Sequence, residues 1–336
     1  FFVSPVSQSV KMLDTLVLKG ANVNADYVLR WASKRGHLEM VKFLVGVGAD
    51  VHARNDEALV WASKRGHMEM VKFLVGSGAD VRAGDDRALV WASEEGHMDV
   101  VEFLVGEGAN VHAREDRALM RASMCGHLGV VQCLMRAGAN VHAWDDGALV
   151  RACEEGHAGV VRYLVSQGAK VNAKEGGALR RASNNGHLDV AKYLVSQEAN
   201  IHARDDEALR WASGGGHLGV VKYLIGVGAN VHAWNDGALR LASREGHLKV
   251  TQYLVSVGAN VHAGHDDALR WASRRGHLEV VKCLVGADVH ARNDNALRWA
   301  SENGHLDVVK YLMEVRANMD DELGSGQVPN RCRGRC

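Results

Sequence analysis

The 336 residues carry 40 Lys and Arg against 40 Asp and Glu, with 47% hydrophobic and 24% charged residues. That balance belongs to a folded chain in water. It lacks the basic surplus by which proteins neutralise nucleic-acid phosphates, and no run approaches the roughly 18 apolar residues that span a bilayer.

In chain order, residues 10–24 read as a half repeat that caps the array. Gly-His then recurs at Gly36-His37, Gly66-His67, Gly96-His97, Gly126-His127, Gly156-His157, Gly186-His187, Gly216-His217, Gly246-His247, Gly276-His277 and Gly304-His305. A period of thirty residues marks a repeat array. In the unit from Arg54 to Ala83, the stretch Ala58-Leu59-Val60-Trp61-Ala62-Ser63 places apolar residues at helical spacing. Asp56 precedes it and is predicted as its N-cap. The residue recurs as Asp26, Asp86, Asp116, Asp146, Asp206, Asp236, Asp266 and Asp294, with Gly176 the exception. Gly66 closes this helix through a left-handed C′. A second helix runs through Met68, Val71, Phe73, Leu74 and Val75 and is closed by Gly78. A pair this short cannot bury a core alone, so neighbouring pairs must stack. Leucine is constant from Leu29 through Leu59 to Leu297, and alanine from Ala32 through Ala62 to Ala300. The alanines let the first helices approach closely, so their side of the stack is predicted to be concave.

Several positions depart from the frame. The turn at 285–288 is two residues short. Gly176-Gly177 and Ser213-Gly214-Gly215-Gly216 loosen the backbone, while Glu198 and Arg316 replace closing glycines. Residues 320–336 lack periodicity and are predicted as a disordered tail. The array is therefore expected to be a single domain over 1–319, with the half repeat followed by ten helix pairs.

The pattern Asp-x-Ala-Leu-x-x-Ala-Ser-x-x-Gly-His-x-x-Val-Val-x-x-Leu-Val-x-x-Gly-Ala-Asn-Val-x-Ala resembles the ankyrin repeat, over residues 10 to 319. Its thirty-residue form is similar to the long arrays of large DNA viruses. The resemblance implies an all-α solenoid of stacked helix pairs that binds another protein in its concave groove. It also implies that the Gly-His histidines are structural, Gly66, His67, Gly96, His97, Gly216 and His217 among them. The family's Thr-Pro-Leu-His opening is missing here, where Glu57-Ala58-Leu59-Val60 stands. The β-hairpin fingers are thus expected to be short or absent.

Chemistry-bearing residues point away from catalysis. Equivalent histidines of adjacent repeats lie too far apart to share a zinc ion, and Cys125, Cys133 and His127 lack a third orienting group. Neither a metal nor a cofactor is predicted, and the protein is not expected to be an enzyme.

The informative positions are those that vary. Two places after the constant leucine stand Trp31, Trp61, Trp91, Arg121, Arg151, Arg181, Trp211, Leu241, Trp271 and Trp299. The pairs before Gly-His also vary and include Arg35, Arg65, Glu95, Glu155 and Arg275. Aromatic and arginine side chains dominate binding energies at interfaces, so these residues are the candidate partner-binding set. Whether the Trp column is open or fills space between repeats is left to the structure.

The predicted function is a monomeric, non-catalytic scaffold for another protein, with no membrane contact. One alternative is a polyanion or nucleic-acid binder using the row Arg180, Arg210, Arg240, Arg270 and Arg298. Another is a fragment of a longer product with no specific ligand. Six cysteines without framework spacing predict an intracellular, reducing compartment: the cytoplasm, or the host cell for a viral product.

Overall fold

The computed structural model describes residues 25–284 and 291–324. The predicted half repeat, the shortened turn at 285–288 and the tail from 325 onward lie outside the described residues. Among the described residues the elements are all helices, arranged as consecutive pairs. The first helices are Ala25–Arg35, Ala53–Lys64, Ala83–Glu95, Ala113–Met124, Ala143–Glu155, Ala173–Asn184, Ala203–Gly214, Ala233–Glu245, Ala263–Arg274 and Ala291–Glu302. Their partners are Leu38–Gly46, Met68–Gly76, Met98–Gly106, Leu128–Arg136, Ala158–Ser166, Leu188–Ser196, Leu218–Gly226, Leu248–Ser256, Leu278–Cys283 and Leu306–Gly324. The final helix meets no glycine at Arg316 and runs on to Gly324, so residues 320–324 of the expected tail are helical. The chain divides into two compact units, Phe1–Ala152 with Gly159–Ala169, and Cys153–Ala158 with Lys170–Cys336.

Within each unit the core is the two constant columns. Leu59, Leu89 and Leu119 in the first unit and Leu179, Leu209 and Leu239 in the second are at most 1% exposed, and the alanines three residues later are fully buried. The repeats are also hooked together through backbone. In the first unit His97 Nε2 lies 3.0 Å from the Lys64 carbonyl oxygen and His127 Nε2 lies 2.9 Å from that of Glu94. In the second, His187, His217, His247 and His277 reach the carbonyls of Glu154, Asn184, Gly214 and Arg244 in the same way. The glycine beneath each ring is required twice over. Gly66 holds φ +68, and a Cβ there would lie 2.5 Å from His97 Nδ1.

The turn between repeats overturns one expectation from sequence. Arg54, Asn55 and Asp56 are three consecutive left-handed residues, at φ 57, 59 and 54, and Arg204, Asp205 and Asp206 repeat the run at φ 52, 56 and 53. This compact turn stands where a β-hairpin finger was expected to be short or absent. Each non-glycine residue held there costs about 1–2 kcal/mol, which is why Asp, Asn and Gly dominate the positions. The aspartate that was expected to cap its own helix serves the next repeat instead. Asp56 Oδ1 accepts the amide of Asp80 at 2.9 Å, and Asp86 and Asp116 accept those of Asn110 and Asn140. In the second unit Asp206 and Asp236 do the same for Asn230 and Asn260. The second histidine column completes the arrangement, with His52, His112, His202 and His232 each placing Nδ1 on the aspartate four residues later.

Gly176 lacks that carboxylate, but the loop is not left without an acceptor. Asn172 occupies the histidine position, and its Oδ1 accepts the Asn200 amide at 2.7 Å while its Nδ2 donates to the Glu198 carbonyl. Glu198 itself sits at φ 60 where other repeats place glycine. Its strain is therefore real, as the sequence suggested.

Replacing Asp206 with Ala removes the acceptor for Asn230 and the partner of His202. It should lower stability by roughly 1–3 kcal/mol, read as an earlier urea midpoint; an unchanged midpoint would show the bond to be dispensable. The histidine hooks give a second expectation. Burial holds His277 below the ordinary histidine range, against the opposing pull of the Arg244 carbonyl. The folded chain thus resists a proton that the unfolded chain accepts, so this contribution is complete above the ordinary imidazole value and is lost as pH falls. Urea midpoints should drop between pH about 7.5 and about 5.5, and drop less in His277→Gln.

Candidate functional site

The candidate residues stand in the last turn and a half of the first helices, where each repeat meets the next. In the first unit, Lys34 Nζ sits 4.3 Å above the Trp61 ring and Lys64 Nζ 3.4 Å above that of Trp91. At the next step the chemistry changes on both sides together: Glu94 Oε2 lies 3.4 Å from Arg121 Nε. In the second unit Glu154 pairs with Arg181 at 3.1 Å, and Arg274 lies 5.4 Å above Trp299. Trp211 follows Asn184 and is covered by Arg180 and Arg181 at 5.6 and 5.8 Å. Leu241 follows Gly214, whose missing side chain would have met it. In most repeats the residue of the column and the residue 25 to 27 before it are therefore complementary, although Arg151 follows Met124 rather than an acid.

This pairing settles how exposed the column is. Trp31 is 46% exposed, and Trp61, Trp91, Trp211, Trp271 and Trp299 are half-buried. Arg151 and Arg181 are exposed and Arg121 is half-buried. Trp61, Trp91, Trp211 and Trp299 thus keep one part in solvent while a cation of the preceding repeat lies over the ring, and Trp31 and Trp271 meet a cation of their own helix. Farther out, Arg35, Arg65, Glu95, Glu155 and Arg275 are all exposed. Several still touch the frame: Arg35 lies 5.6 Å from the Trp31 ring, Glu95 3.6 Å from Lys64, and Arg275 2.6 Å from Glu245.

The column just before the tryptophans is largely covered, with Arg298 its exposed member. Val60, Val90 and Val150 are buried. Its arginines are engaged: Arg180 with Glu207, Arg240 with Asp267 at 3.0 Å, and Arg270, only 3% exposed, with Asp267 and two turn carbonyls.

Two tryptophans escaped the column analysis because they belong to the turns. Trp144 and Trp234 are 51% and 52% exposed although each begins a left-handed run. A glycine three residues later makes room for the ring, since a Cβ on Gly237 would lie 2.7 Å from Trp234 Cε3. Trp-Asp-Asp-Gly and Trp-Asn-Asp-Gly were the available signals in sequence. Arg210 and Arg240 stand 4.7 and 5.1 Å from the Trp234 ring.

In the second unit a cleft opens where Leu241 interrupts the tryptophans. A space of about 550 Å³ is lined by Asn184, Trp211, Gly214, Gly215, Leu241, Arg244, Glu245 and His247. A smaller one of about 140 Å³ is lined by Trp234, Arg240, Leu241, Arg244 and Trp271. They share Leu241 and Arg244.

Cys133 is buried in the core, with its thiol pushed up by burial, and the His127 ring is taken up by its bond to Glu94. Cys153 is fully buried where other repeats carry serine, and burial raises its thiol far above the usual range. Among the described residues no group of three or more His, Cys, Asp or Glu is arranged to hold a metal ion. Nor is any described helix long and apolar enough to cross a membrane.

A family profile described as ankyrin repeats (3 copies) matches residues 6–85, 29–115, 89–175, 119–205, 179–265 and 239–322. No curated protein matches the chain.

The paired columns make a direct prediction. Glu94→Lys alone sets two cations together and should destabilise the fold, whereas adding Arg121→Trp recreates the Lys64–Trp91 pair and should recover most of the loss. A coupling of about 0.5–1 kcal/mol in a double-mutant cycle is expected; strict additivity would show that the columns vary independently.

Proposed function

The chain belongs to the ankyrin-repeat family, and from that premise we propose that it is a non-catalytic scaffold holding another protein in the concave groove the family implies. Ankyrin repeats are in general protein-interaction modules. The finer reading assigns contact to Trp31, Trp61, Trp91, Trp211, Trp271 and Trp299, to Arg121, Arg151 and Arg181, and to the exposed outer residues Arg35, Arg65, Glu95, Glu155 and Arg275.

One observation carries it. Trp61, Trp91, Trp211 and Trp299 remain partly open to solvent while cations of the preceding repeat lie over their rings. An aromatic surface fixed before a partner arrives loses little entropy on binding. The polyanion alternative finds less support, because 40 Lys and Arg are balanced by 40 Asp and Glu over the chain and Arg180, Arg240 and Arg270 of the row it needs are paired with Glu207 and Asp267. The reducing, intracellular compartment of this reading rests on six cysteines without framework spacing.

The test is capture from lysate by the whole chain, compared with a variant carrying Arg35→Glu, Arg65→Glu, Glu155→Arg and Arg275→Glu. These four side chains are exposed, so the fold should survive. A protein retained by the first and lost by the second, with weak dependence on salt, is the expected outcome. Equal recovery on both baits would remove the outer residues from the interface, and steep salt dependence would favour the polyanion reading.

A further inference from the structure

We propose that the cleft around Leu241 is the anchor point of the binding face, built to accept an aromatic side chain from an acidic peptide segment. This rests on the scaffold reading above and names the chemistry of its partner.

The cleft arises from two coordinated omissions. Six repeats place tryptophan where Leu241 stands, and for five of them the preceding repeat supplies a cation or a carboxamide 25 to 27 residues earlier. At Leu241 the large ring is missing, and Gly214-Gly215 removes the facing side chains as well. The resulting space of about 550 Å³ falls within the range of pockets that enclose a ligand group. Trp211 lines this larger space, Trp234 and Trp271 line the smaller one beside it, and Leu241 and Arg244 are common to both. Trp271 is braced in turn by Trp299, with ring centroids 5.7 Å apart.

The rim fixes the charge of the occupant. Arg240 and Arg244 line the cleft, Arg210 lies against Trp234, and Arg275 reaches Glu245. The carboxylates bonded to this group are Glu245, which receives both Arg244 and Arg275, and Asp267, which receives Arg240. Four guanidiniums against two carboxylates leave a positive excess. Each guanidinium has five N–H donors, so one or two bonds do not exhaust it. A lining that sets Trp211 and Leu241 beside a positive rim suits an aromatic anchor flanked by Asp or Glu.

The experiment uses the full chain labelled with 5-fluorotryptophan, with the fluorine signals assigned by single Trp→Phe variants. The probe is the blocked peptide Asp-Glu-Asp-Phe-Glu-Asp-Glu at about millimolar concentration. The expected result is a shift at Trp211, Trp234 and Trp271 with none at Trp31, Trp61 or Trp91. Exchanging the peptide's Phe for Ala, or filling the cleft by Leu241→Trp, should each weaken binding about tenfold or more.

Equal binding by the Ala peptide or by a Lys-flanked Phe peptide would overturn the proposal. So would tighter binding of a thymidine oligonucleotide, an absence of any shift, or full affinity in Leu241→Trp. Capture of a protein partner that is lost with the Arg35, Arg65, Glu155 and Arg275 variant but untouched by Leu241→Trp would sink the cleft and leave the scaffold standing.

Discussion

Everything in this fold hangs on a histidine reaching the backbone of the repeat before it. The ring bonds a carbonyl at the end of the preceding first helix, and it can do so only because the glycine below has no Cβ. That carbonyl is one of the orphans every helix leaves at its C-terminus. The same glycine needs its left-handed φ to end the helix. Helix termination, backbone satisfaction and repeat stacking are thus one event rather than three. The constant leucines and alanines supply the apolar burial, but the hook fixes the register in which they meet.

The turn side of each repeat solves a different problem. Three left-handed residues in succession are unfavourable for L-amino acids, and the buried aspartate offsets this by bonding the next turn and a histidine of its own. At Gly176 that arrangement survives a change of both partners, because Asn172 moves an amide oxygen to the same backbone target. What persists along the chain is the bond to the following turn, and the residue that makes it is free to change.

Much of this is legible in the sequence. The period, the helix pairs, the closing glycines and the buried columns follow from apolar spacing and from the few residues that tolerate positive φ. The aspartates mislead because an Asp just ahead of an apolar run is the signature of an N-cap. Asp is compatible with φ of either sign, and only the left-handed turn shows that the carboxylate faces the neighbouring repeat. Trp144 and Trp234 escape for a related reason, since the columns run along helices and these rings stand on turns. The exposure of the Trp column also needs the folded chain to be seen. It is nonetheless foreshadowed by a correlation at spacing 27, with Lys34 and Lys64 before Trp61 and Trp91 and Glu94 and Glu154 before Arg121 and Arg181, although Met124 before Arg151 and Asn184 before Trp211 depart from it.

That correlation gives the chain a grammar for gaining and losing repeats. Excising residues 61–90 would bring Lys34 beneath Trp91, the same cation on the same ring, and the join would be silent. Excising 91–120 would set Lys64 against Arg121, two like charges at a half-buried contact. Both deletions preserve the period, the hooks and the core, yet they are not equivalent. An array of this kind can therefore recombine freely in length while remembering, through its neighbours, which order its repeats were in.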